Sequence, residues 1–191
     1  MGQPTSPQPA KLLCGMLAQR EEWFASAEEK LAAAFGPIDL ASDLIPFDFT
    51  DYYTPAMGTG LLRKFVTFDA LVAPDRLAAT KLATNAIEEE LAVRLGAAVP
   101  RPVNLDPGLL DGSRLILATT KDNAHRIYLR DGIYAEITLT YRKGAWTPAP
   151  WTYRDYQSKA YHQFLTTARA LYRAQARKIG PIGPIRQIGQ G

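Results

Sequence analysis

The sequence predicts an α+β domain: a mainly antiparallel β-sheet with helices packed on one face. Three observations support that class. The first half alternates β-rich runs and helical periodicity in the order β-α-β-β-α. After Arg101 the β-rich runs are joined too tightly for helical crossovers, which argues against a doubly wound parallel sheet. Ala124 to Tyr141, AHRIYLRDGIYAEITLTY, sorts its residues onto two faces as a β-hairpin does. The opening order is compatible with a ferredoxin-like core elaborated by a C-terminal hairpin and helix.

The chain has 191 residues, 47% of them hydrophobic, enough for one domain with a sizeable core. We read residues 1–10 as a disordered lead-in, 11–178 as a single domain and 179–191 as a flexible tail. No apolar run is long enough to span a bilayer, and the start, MGQPTSPQPA, lacks the charged and apolar regions of a signal peptide. A cytoplasmic setting without a membrane partner is the expectation. The one cysteine, Cys14, excludes an internal disulfide and sits in an apolar run, as a buried structural thiol would. Charge is uneven. Met1 to Tyr141 holds 13 basic and 18 acidic residues; Arg142 to Gly191 holds nine basic residues and one acid, Asp155. A basic end on an acidic body suits an anionic partner, or docking of that end on the body.

Taken in order, Lys11 to Ala18 reads as a buried strand, in which Gly15 marks a close backbone approach. Arg20 to Phe35 reads as a helix, with Trp23, Phe24, Ala27, Leu31, Ala34 and Phe35 on one face and Gly36-Pro37 as its stop. Ile38 to Phe49 holds a strand interrupted at Pro46, and a flexible loop follows. LLRKFVTFDALV is the next strand; its alternation puts Lys64 on a row with Leu62, Val66 and Phe68. Pro74-Asp75 opens a second helix running to Leu95, stopped by Gly96. Asp106-Pro107-Gly108 is a turn signal, and Arg114 to Thr120 is a strand. For the hairpin, a three-residue loop, Arg130-Asp131-Gly132, separates apolar from polar side chains better than a two-residue turn. That register makes Arg126 and Glu136 cross-strand partners, aligns Tyr128 with Tyr134, and starts the apolar row at His125. AWTPAPWTYRDY reads as an aromatic strap over the body. The third helix, Tyr156 to Lys178, buries Tyr161, Phe164, Leu165, Ala168, Leu171 and Tyr172 and carries a ridge of Arg169, Arg173 and Arg177.

No motif fixes a reaction. The chain lacks the G-x-x-x-x-G-K-[ST] phosphate loop. The residues that could form a site are Asp48 and Asp51 in FDFTDYY, Lys64, Asn104 and Asp106 in VNLDPG, then Lys121, His125, Arg126 and Glu136. Asp48, Asp51, His125 and Glu136 are the candidates for catalysis; the others would bind the ligand. Two carboxylates three apart can hold a divalent cation or share a proton, or each can cap local backbone. Gathered in one cleft, the nine would serve a metal-assisted reaction on a small anionic ligand, a nucleotide or phosphorylated metabolite. The alternatives are an RNA-binding module built on the basic third helix and the aromatic strap, and an interaction module without catalysis.

FGPIDL (Phe35 to Leu40), PFDFTDYY (Pro46 to Tyr53), Met57-Gly58, VNLDPG, LILATTK (Leu115 to Lys121), HRIYL, GIYAEITLTY and PWTYRDY (Pro150 to Tyr156) occur together in this order. In them the chain resembles an uncharacterised prokaryotic family, domain-of-unknown-function family 4416. The resemblance covers most of the chain from Lys11 to the third helix and implies no catalytic residues.

Overall fold

The computed structural model describes residues 4–179. Residues 1–3 of the expected lead-in and 180–191 of the expected tail lie outside the described residues; residues 4–9 lead into the first strand. Among the described residues nine strands form one sheet, every pair antiparallel: β1 (Ala10–Ala18), β2 (Ile38–Ala41), β3 (Ile45–Pro46), β4 (Leu62–Val72), β5 (Val103–Leu110), β6 (Arg114–Thr119), β7 (Ile127–Arg130), β8 (Ile133–Arg142) and β9 (Ala145–Pro148). Helices are α1 (Glu21–Phe35), a single turn α2 (Thr54–Met57), α3 (Leu77–Leu95) and α4 (Lys159–Ile179).

The spatial order is β2-β4-β1-β5-β6-β8-β7, with β3 on β4 and β9 on β8. Its first four strands, linked through α1 and α3, have the order and directions of a ferredoxin-like β-α-β-β-α-β unit. The remaining strands lengthen that sheet past β5.

β1 explains the layering. All nine of its residues are buried, so both faces of the sheet need cover. Leu12, Cys14, Met16 and Ala18 pack with Trp23, Phe24, Ala27 and Leu31 of α1 and Leu77, Ala78, Ile87 and Leu91 of α3. Leu13 belongs to the opposite core, with Phe65 of β4 and Tyr161, Phe164, Leu165, Ala168 and Tyr172 of α4. The expectation of helices on one face therefore holds for α1 and α3; α4 covers the other. Cys14 is a buried thiol, and burial pushes its pKa up.

Two local readings are corrected. Asp106-Pro107-Gly108 is no turn: it lies inside β5, paired with Gly15, Cys14 and Leu13 of β1. The strand tolerates these residues because its ladder with β6 starts only at Gly108. A Cβ on Gly108 would sit 2.7 Å from the Ile116 carbonyl oxygen, so the two backbones meet only over glycine.

The hairpin turn is the two-residue Asp131-Gly132, both with positive φ (54° and 74°), as a type I′ turn requires. Arg130 faces Ile133, and an irregularity at Leu129 restores the expected pairs Ile127–Ala135 and Tyr128–Tyr134. The predicted sorting of faces fails further along. Thr138 is an extra residue in β8 against β6. This bulge lets Glu136 and Leu139 share the α4 side of the sheet, opposite Leu117 and Leu115. Glu136 and Thr138 are buried and Ile137 is exposed, the reverse of the sequence expectation.

Candidate cleft at the split in the sheet

β5 and β6 hydrogen-bond only over Gly108–Leu110 and Leu115–Leu117. Beyond that the strands part. On the open side of β5 the Leu105 N–H donates to Glu88 Oε1 at 2.7 Å, and the Leu105 carbonyl accepts from Lys81 Nζ at 2.7 Å. Pro107, two residues on, faces the same way and has no N–H to leave unpaired. Side chains of α3 thus replace a missing strand. The split widens on the α4 side into a cavity of about 500 Å³.

Arg63 of β4 forms the floor. It is 1% exposed and lies across Gly15, where a Cβ would stand 3.0 Å from both its Nη1 and the Phe65 ring. Its Nε donates to the Tyr161 hydroxyl at 3.2 Å, Nη1 to Asp106 Oδ2 and Nη2 to Asp155 Oδ2, both at 3.4 Å. A guanidinium has five N–H donors, so two remain. Burial opposes the charge, but the neighbouring carboxylates Asp106 and Asp155 hold Arg63 firmly protonated.

The two carboxylates differ. Burial would raise Asp106, but Lys81, Arg63 and the Asn104 amide, 2.8 Å away, bring it below the usual carboxylate range. Asp155 stays above that range because burial outweighs Arg63. Tyr161 is pushed up to about 12, mainly by burial, and Tyr156 is raised well above its ordinary value for the same reason, so both are neutral hydroxyls. The Tyr156 hydroxyl is buried at the cleft wall without a hydrogen-bond partner among the described residues.

The mouth is cationic. Lys121 Nζ donates to the Tyr52 hydroxyl at 2.5 Å and lies 4.3 Å from that ring's centre; the contact lowers the Tyr52 pKa. Arg154 is exposed beside Tyr153. Neither Lys121 nor Arg154 makes an ion pair among the described residues. Arg101 is held by Glu88 Oε2 at 2.5 and 2.9 Å. Arg126 Nε donates to Glu136 Oε2 at 2.8 Å, and His125 Nε2 lies 3.2 Å from the same oxygen. Phe47, Phe49 and Tyr53 complete the wall.

A comparison with protein families matches residues 8–172 to the family described as Domain of unknown function (DUF4416). The chain belongs to DUF4416. No curated protein and no solved structure matches it. The matched stretch contains every residue lining the cleft, so the cleft lies within the DUF4416 domain of this chain.

Five of the nine residues singled out from the sequence line the DUF4416 cleft: Asn104, Asp106, Lys121, Arg126 and Glu136. His125 joins them through Glu136. The expected register starts the apolar row at His125 and puts Arg126 on the polar row with Glu136, yet His125 and Arg126 meet at one Glu136 oxygen. Both residues precede β7 in a turn closed by Arg126 N–H donating to the Asn123 carbonyl, and the turn aims both at Glu136. The His125 ring stacks on Trp151, which anchors the strap by donating to the Ile137 carbonyl.

The grouping fails for three residues. Asp48 and Asp51 are exposed and lie outside the cleft; the Asp51 backbone carbonyl accepts the Thr54 N–H. Lys64 points to the other side of the sheet, 2.5 Å from Glu28 of α1. Alternation explains that: Arg63 and Lys64 take opposite faces, and Arg63 takes the cleft. Among the described residues no group of three or more His, Cys, Asp and Glu side chains could hold a metal ion. Sequence reasoning missed Arg63, Lys81, Arg101, Arg154, Asp155 and Tyr156. Two signals pointed to two of these: Gly15, whose missing side chain makes room for Arg63, and Asp155 as the single acid of a basic end.

Proposed function

We propose that this DUF4416 domain binds a small phosphorylated metabolite of nucleotide size in the cleft. One observation carries the reading: six cations, Arg63, Lys81, Arg101, Lys121, Arg126 and Arg154, line the cavity against three carboxylates, Asp106, Glu136 and Asp155. The aromatic wall supports a ligand with a ring, and the volume falls in the range of small-molecule sites. A divalent cation held by Asp48 and Asp51 has no part in this reading. The RNA reading has less support. Trp146 and Tyr156 are buried, and Arg169 donates to the Gly112 carbonyl at 2.8 Å and lies 3.7 Å over the Tyr141 ring. Arg173 and Arg177 remain exposed.

Titration calorimetry against a panel of nucleoside monophosphates and sugar phosphates tests the proposal. Binding should weaken with salt, and Lys121→Ala with Arg154→Ala should weaken it about tenfold or more, the loss of one to two charge-assisted contacts. A wild-type protein that binds no member of the panel, or a double variant that binds as tightly as wild type, overturns it.

A further inference from the structure

We infer that the ligand lies with its phosphate at the mouth and a hydroxyl-bearing sugar on the floor, so that the recognised unit is a pentose phosphate, free or within a nucleotide. The inference rests on the phosphate-binding reading above and adds the ligand's direction and the class of its inner group.

Charge sets the direction. On the floor Arg63 and Lys81 are matched by Asp106 and Asp155. A phosphate placed there would meet two carboxylates in a site largely shut off from water, where repulsion is weakly screened. The cations without ion pairs among the described residues, Lys121 and Arg154, stand exposed at the mouth. The anion belongs with them.

The floor then asks for a neutral group that both donates and accepts. Asp106 accepts only, and its side chain keeps 26% of its exposure beside the cleft. Arg63 donates only, with two N–H unspent. Tyr156 offers a neutral hydroxyl that no group among the described residues satisfies. An amine would duplicate Arg63 and Lys81, and a carboxylate would face Asp106 and Asp155. A hydroxyl meets all three demands, and a pair of sugar hydroxyls spans an arginine and a carboxylate together. Tyr53 and Phe49 offer flat surfaces for the C–H face of a sugar ring.

The probes are ribose 5-phosphate, adenosine 5′-monophosphate and methyl phosphate, which carries the phosphate without the sugar. Wild type should prefer ribose 5-phosphate to methyl phosphate by about tenfold or more, since at least one or two hydrogen bonds distinguish them. Tyr156→Phe should cut affinity for both sugar-bearing probes about tenfold and leave methyl phosphate within about twofold. Tighter binding of the nucleotide than of ribose 5-phosphate assigns the sugar to a nucleotide; equal binding assigns it to a free sugar phosphate; either supports the inference. Equal affinity of wild type for ribose 5-phosphate and methyl phosphate overturns it, and that comparison needs no variant. So does a Tyr156→Phe protein that loses all three probes alike or none. In those cases phosphate binding itself still stands. Failure of every probe to bind wild type removes the underlying reading as well.

Discussion

Two cations are fully buried on the same face of this sheet, and they are bonded differently. Lys11 of β1 donates to Asp39 Oδ2 at 2.6 Å, Gln175 Oε1 at 2.8 Å and the Phe68 carbonyl at 2.9 Å. An ammonium has three N–H groups, and all three are spent at short range. Asp39 is fixed in turn by the Thr67 hydroxyl at 2.6 Å. Lys11 therefore pins β1, β2, β4 and α4 together. Arg63 spends three of five donors, none shorter than 3.2 Å, and borders the cleft. Both charges are equally buried. Donors left over, and space beside them, distinguish a site from a pin.

The largest effect should come from the pin. Lys11→Met leaves Asp39 without its cation, and breaking one partner of a buried pair costs about 3–5 kcal/mol. Urea unfolding should show that loss, while any folded variant keeps the wild-type affinity for phosphorylated ligands. A loss under about 1 kcal/mol, or a selective loss of binding, would erase the distinction between the two cations.

Most of the fold could be read from the sequence. The helices announced themselves through Trp23, Phe24 and Leu31 and through Tyr161, Phe164, Leu165 and Ala168, because helical spacing is a local property. The site was half legible. Asn104, Asp106, Arg126 and Glu136 could be named because they are polar residues inside β-rich runs. Arg63 could not be chosen over Lys64: which of two neighbours faces the cleft depends on strand register, and register depends on partners far along the chain. Bulges hid the rest, since one extra residue at Thr138 turned a polar row inward without a local sequence sign.

The two carboxylates on Arg63 sharpen the comparison at intermediate cost. Both lie 3.4 Å from the guanidinium, yet Asp106 is held below the ordinary carboxylate range and Asp155 above it. Asp106→Asn should cost about 1–3 kcal/mol at pH 7, as for other hydrogen-bonded buried charges. A depressed pKa stabilises the fold above the unfolded value, 3.8, and that contribution disappears as pH falls through the folded value below it. Asp155→Asn should cost less at pH 7. With its pKa raised, the folded chain takes up the Asp155 proton first, so wild type gains on Asp155→Asn as pH falls through the folded value towards 3.8. Chemical denaturation of both variants from pH 7 to 3 measures this. Parallel curves for the two variants would show that the carboxylates are equivalent.

The smallest effect tests the seat of Arg63. Gly15 has an ordinary strand conformation, so alanine there brings no backbone strain; its cost is contact alone. The new Cβ would meet Arg63 Nη1 and the Phe65 ring at 3.0 Å, closer than side chains normally pack. The ring is held by Tyr161 and by Phe164, stacked on it with centroids 5.4 Å apart, and has little room to retreat. Arg63 has the cleft beside it and can move a few tenths of an ångström that way. Overpacking should cost about 1 kcal/mol, the low end for an added methyl in a packed core. The larger consequence should fall on the ligand, because the guanidinium that moves is the one with donors to spare. A Gly15→Ala protein that loses about 1 kcal/mol of stability and also binds ribose 5-phosphate more weakly places the floor of the site on Arg63. The same stability loss with unchanged binding would make Arg63 a second pin, no different in kind from Lys11.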